Sequence, residues 1–154
     1  MKKLLSVLAL VAALGCVAAT AAGAAVVSRS TIHSEFTFFD ACSGEAVLVS
    51  GDVDFFTTST VNDNNISGTT HSVFKATGTG LTSGLTYQET VEFNRAFQSS
   101  LQNGEATFTM EGLISVVAPG PDNNLFSPIF SHTTIDANGE VTSSKFDFPP
   151  PSCH

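Results

Sequence analysis

The 154-residue chain has no tryptophan, one tyrosine, and only six lysines and arginines against 14 acidic residues. A surface so poor in positive charge repels phosphate backbones and anionic lipid, which argues against nucleic-acid and membrane-surface binding. The chain also lacks a G-x-S-x-G elbow, a glycine-rich phosphate loop, H-E-x-x-H spacing and C-x-x-C spacing. No cofactor and no metal are therefore expected, and common hydrolase, nucleotide-binding and redox chemistries find no motif here. A bilayer-spanning run is missing as well. The longest apolar stretch, Leu4 to Leu14, is broken by Ser6 and is too short for the ~20 residues a span needs.

That stretch has a different meaning. Lys2 and Lys3 precede it, and the small residues Ala18-Ala19-Thr20-Ala21-Ala22-Gly23-Ala24-Ala25 follow it. A basic end, a short apolar core and an A-x-A type site are the layout of a secretory signal peptide. The expectation is a signal peptide over residues 1–25 and a single domain over 26–154, exported to the periplasm or the medium in bacterial style. Without Lys2 and Lys3, only Arg29, Lys75, Arg95 and Lys145 oppose the acids, for a formal charge of about −10. An alternative attaches to Ala13-Leu14-Gly15-Cys16, a loose match to a lipoprotein processing site. A lipid on Cys16 is then the one route to a membrane.

Outside the signal two cysteines remain, Cys42 and Cys153. An even pair in an oxidising compartment reads as a disulfide.

The remaining sequence is rich in Thr, Val, Phe and Ser, with turn residues every 10–18 positions and almost no helical period. Strands are predicted at Thr31 to Phe39, Ala46 to Thr60, Thr69 to Thr79, Leu85 to Phe97, Ala106 to Ala118, Leu125 to Ile135 and Glu140 to Phe148. Loops such as Asn62-Asp63-Asn64-Asn65, Gln102-Asn103-Gly104 and Asp136-Ala137-Asn138-Gly139 separate them. The fold class is thus all-β, an antiparallel meander of about seven strands with one disulfide. Strand length favours closure into a small β-barrel, and a two-layer β-sandwich is the alternative.

Alternation picks out one anomaly. On the fourth strand, Glu89 and Arg95 share the apolar face with Tyr87, Val91 and Phe93. Charges on a core face need a partner or water. Tyr87, Glu89 and Arg95 are accordingly the candidate ligand-orienting groups of an apolar pocket. The competing readings place them at a wet rim, or pair Glu89 with Arg95 as a structural ion pair. The four histidines, His33, His71, His132 and His154, are scattered singly, without metal-ligand spacing. Asp63-Asn64-Asn65-Ile66-Ser67-Gly68 begins like a calcium loop, but its twelfth position is Phe74 where a bidentate glutamate is needed. Turn chemistry explains the same residues.

Four features stand out along the chain: Cys42-Ser43-Gly44-Glu45, Gly78-Thr79-Gly80-Leu81-Thr82-Ser83-Gly84-Leu85-Thr86-Tyr87, Asp136-Ala137-Asn138-Gly139-Glu140-Val141 and the closing Cys153. In these the chain resembles a group of small exported bacterial β-proteins of uncharacterised function. The resemblance implies an exported, disulfide-linked, mostly β protein and supplies no active-site residues. The functional expectation is a binding module for an apolar or amphipathic small molecule. A packed envelope structural or interaction protein is the rival, and an isomerase- or cyclase-type barrel enzyme comes third. Oligomeric state is left open.

Overall fold

The computed structural model describes residues 25–154; the signal peptide expected over residues 1–25 lies, but for Ala25, outside the described residues, as does Cys16. Seven strands run in chain order as one antiparallel meander. They are β1 (Ala25–Asp40), β2 (Glu45–Val61), β3 (Asn65–Gly80), β4 (Thr86–Ser100), β5 (Ala106–Val117), β6 (Leu125–Ile135) and β7 (Val141–Asp147). A two-residue β8 (Ser152–Cys153) returns to the same sheet beside Leu125 and Phe126 of β6. There is no helix among the described residues.

Three of the connections are built alike. In each, the fourth residue after the strand is a glycine at positive φ: Gly44 (73°), Gly84 (70°) and Gly104 (74°). The glycine amide donates to the carbonyl four residues back, on Asp40, Gly80 and Ser100 respectively. Only glycine enters this left-handed region without steric cost, so these positions fix where the strands reverse. The Asn62 loop is tied by its own side chain, with Oδ1 accepting from the amides of Asn64 and Asn65. That is turn chemistry rather than a calcium loop.

Residues of even number in β1 lie on the same face as Glu45, Val47, Val49, Val53 and Phe55 of β2, because antiparallel partners share a face. Continuing across the ladders, that face carries Ser72, Phe74 and Ala76, then Tyr87, Glu89, Val91, Phe93 and Arg95, then Ile114 and Val116, then Leu125 and Ser127. The buried cluster sits at one end of it: Val47, Val49, Phe74, Tyr87, Val116, Ala118 and Leu125.

A sheet alone has nothing to cover this face, so the face must fold over itself. Cys42, in the β1–β2 turn, bonds Cys153 of β8 with Cα atoms 5.5 Å apart. Several strand spacings of ~4.8 Å separate those two places in a flat sheet. The sheet is therefore curled, with the apolar face inside and the disulfide clipping one corner to the opposite side.

Two expectations are corrected here. The sheet is not closed: β1 and β7 form no ladder with each other, so the meander is an open, curled sheet rather than a completed barrel. It is one sheet, so the sandwich is not formed either. The reason is visible at the C-terminal side. β7 has only seven residues, and Pro149-Pro150-Pro151 follows shortly after it, where no amide is available to extend a ladder.

Candidate functional site

The curled face contains two distinct environments. At its clipped end, four donors converge on the carboxylate of Glu45, the first residue of β2. Oε1 accepts from the Tyr87 hydroxyl at 2.7 Å and the Ser83 hydroxyl at 2.6 Å. Oε2 accepts from the amides of Thr82 and Ser83 at 3.1 and 3.0 Å. These bonds hold the Glu45 carboxyl at about 2, well below the ordinary carboxylate range, the Ser83 hydroxyl contributing most and Tyr87 next. Burial pushes the Tyr87 hydroxyl up, and the carboxylate it donates to acts in the same direction.

Gly80 belongs to this arrangement, because a Cβ there would lie 2.5–2.6 Å from the Glu45 carboxylate. Next to it, Asp40 is fully buried and accepts from the Cys42 amide and the Ser43 hydroxyl, both at 2.9 Å. The cluster locks the β1–β2 turn to the β3–β4 turn. Its polar atoms are spoken for, so it has no group left over for a ligand. Removing the buried Tyr87 hydroxyl by Tyr87→Phe is expected to cost about 1–2 kcal/mol of stability in urea unfolding, with the far-ultraviolet spectrum unchanged.

The second environment is a groove of about 210 Å³ farther along the same face. Its walls are Phe36 from β1, Val53 and Phe55 from β2, Phe74 from β3, and Val91 and Phe93 from β4. Phe36 and Phe74 stack across it, ring centroids 5.5 Å apart. Two polar side chains join the lining, Ser72 and Arg95. Arg95 donates to the Ser72 hydroxyl at 3.1 Å and lies over the Phe93 ring at 4.9 Å. Neither contact neutralises the guanidinium, and no carboxylate lies within ion-pairing distance of it among the described residues.

The three candidate residues from the sequence therefore separate. Tyr87 belongs to the Glu45 lock, Arg95 lines the groove, and Glu89 lies between them in the buried end. The Glu89–Arg95 ion pair is not formed. Six residues of strand place the two about 20 Å apart. Glu89 is only 4% exposed, and its Oε2 has no hydrogen-bond partner among the described residues. Burial alone pushes its carboxyl up to about 7.

Sequence reading missed Glu45, Ser72 and Phe74. The signal for Glu45 was an acid in period two with Val47 and Val49, on a face where a carboxylate needs donors.

The histidines stay apart. His33 pairs with Asp52 at 2.9 Å, His71 contacts Asn94, and His132 contacts Thr109. Among the described residues, no three His, Cys, Asp or Glu gather to hold a metal ion.

Against protein-family models, curated proteins and solved structures, the chain matches none. The site must be read from its own chemistry.

Proposed function

We propose that this protein is a binding module, exported as its signal-like N-terminus suggests, that holds a small amphiphile in the groove of its curled face. The chemistry favours an apolar tail with an acidic head. One observation carries the reading: six apolar side chains wall a concave groove, and the positive charge at its edge is uncompensated. Few, well-placed polar groups in an apolar lining are the usual composition of a small-molecule site. The apolar walls take the tail by desolvation, and the Arg95 fork takes a carboxylate or similar acid by charge-assisted hydrogen bonds. Ser72 holds the guanidinium in position for this. Tyr87 and Glu89 support the wall rather than touch the ligand.

The test is calorimetric titration with octanoate and with 1-octanol. Octanoate is expected to bind at least tenfold more tightly than 1-octanol. Arg95→Gln removes that preference while leaving octanol binding within about twofold, tenfold being 1.4 kcal/mol. Val91→Trp, which fills the groove, abolishes both. Equal binding of the two probes, or octanoate binding that survives Val91→Trp, sinks the reading.

A specific observation favours a second reading, interaction through a strand edge: among the described residues, β1 offers 16 residues of ladder paired on one side only.

A further inference from the structure

The two edges of the sheet are protected very differently. On the β6 side, β7 is short and the Pro149-Pro150-Pro151 run cannot donate to a ladder. β1 lacks most of the usual protections, its charged side chains being only Arg29 and Glu35 with Asp40 at its end. It contains no proline and no lysine, and it keeps an unbroken register with β2 from Ala25 to Asp40, without a bulge. Val26, Val27, Ile32, Phe36 and Phe39 on it are 41–66% exposed. A long, regular edge that carries exposed apolar side chains is a template for another strand.

The order of residues along β1 says which strand. Arg29 and Glu35 lie equally far from Ile32, one on each side, and all three are exposed. Turned antiparallel about a two-fold axis at Ile32, a second β1 sets Ile32 against Ile32, Arg29 against the second copy's Glu35, and Glu35 against the second copy's Arg29. Thr31 then faces His33, and Val27 faces Thr37.

The backbone agrees. In the β3–β4 and β4–β5 loops, the residue before the loop donates its amide to the residue after it: Gly80 to Leu85 and Ser100 to Glu105. The β1–β2 loop has the same form, so Asp40 and the even residues before it spend their backbone groups on β2. The odd residues, Arg29, Thr31, His33 and Glu35 among them, turn theirs to the free edge. The proposed register pairs odd with odd. A two-fold axis perpendicular to the sheet also keeps the apolar face of each copy on the same side.

We propose that β1 is a self-association edge: two copies of this chain pair antiparallel through β1 about Ile32, with the two Arg29–Glu35 pairs setting the register. The protein's strong net negative charge opposes approach at long range. At physiological salt that repulsion is screened within ~8 Å, while the paired charges sit in direct contact. A single strand pair buries little area, so the dimer is weak and concentration-dependent.

The experiment is sedimentation equilibrium on the full chain, produced in an exporting host, up to about 200 µM in 0.15 M salt. A monomer–dimer equilibrium is expected. Arg29→Glu and Glu35→Arg, each exposed and each checked for folding by circular dichroism, are expected to weaken it at least tenfold. The double reversal restores it. As a second readout, Ile32→Cys should oxidise to a covalent dimer, since residues on the two-fold approach to ~4.5 Å. Val26→Cys, which meets Phe38 of the second copy, should not. A monomer at every concentration, a dimer indifferent to both single reversals, or growth into longer assemblies would each overturn the proposal.

Discussion

Replacing Cys42 and Cys153 together with serine is expected to lower the unfolding free energy by about 4–5 kcal/mol, the loop-entropy value for a closure of this length. The bond spans 111 residues, and β2 to β7 lie between its ends. For a domain of this size that corresponds to a fall in melting temperature of about 15–20 °C. The loss should be concentrated at one place. β8 holds to β6 by two residue pairs only, and His154 exchanges backbone bonds with Asn124 beyond them. With the crosslink gone, those contacts are too few to keep the corner clipped, so amides at 152–154 should exchange fastest. Amides of β3 and β4, in the middle of the sheet, should stay protected the longest. The check is differential scanning calorimetry of the double variant beside the oxidised protein, with hydrogen exchange on both. A melting temperature that moves by only a few degrees would mean that the core, and not the clip, maintains the curl.

The second large effect is expected at Glu89. Its carboxyl is pushed up to about 7 by burial, from 4.5 in the exposed group. The sign follows from proton linkage. Below pH 4.5 folded and unfolded chains both hold the proton and the residue adds no pH-dependent cost. Between pH 4.5 and 7 the unfolded chain releases it while the folded chain retains it, so stability falls as pH rises. Above 7 the full penalty stands, about 3 kcal/mol for a shift of this size. Glu45 acts in the opposite direction over a lower range. Its folded value near 2 gives stability that is complete above the unfolded value and is lost as pH falls towards 2. The wild-type stability curve should therefore peak near pH 4–5 for these two groups. Glu89→Gln, nearly isosteric and unable to ionise, should leave stability at pH 4 almost unchanged and raise it at pH 8. Urea midpoints across that range give the answer. Parallel wild-type and variant curves would show that water reaches the carboxylate after all.

Much of the sheet was legible in the sequence because its information is local. β4 alternates so regularly that its apolar face was assigned from residue types alone, and the loops at Asn62, Gln102 and Asp136 fall where they were expected. β1 begins at Ala25 rather than Thr31, because small and polar residues such as Ser28 and Ser30 weaken the alternation there. Closure was beyond reach. Whether β1 meets β7 depends on curl accumulated over five intervening strands, and no single segment encodes it. The candidate site was legible only in part for the same reason. Arg95 stood out by violating its own strand's pattern. Ser72, which holds it, and Phe74, which walls the groove, fit their strand and gave no local sign. Glu89 and Arg95 looked like partners on a one-dimensional count. A strand rises too far per residue for that pairing to reach.

The crosslink has a consequence for the order of events as the chain is made. Every long ladder in the sheet joins sequence neighbours, so hairpins can add one after another behind the growing end. The contact between Cys42 and β8 is the exception. A chain built from its N-terminus exposes the Cys42 thiol while its partner is still 111 residues behind. No partial sheet among the described residues contains a second cysteine with which that thiol could be mismatched. The covalent bond therefore records how far synthesis has gone: only a chain that has reached Cys153 can join it to Cys42.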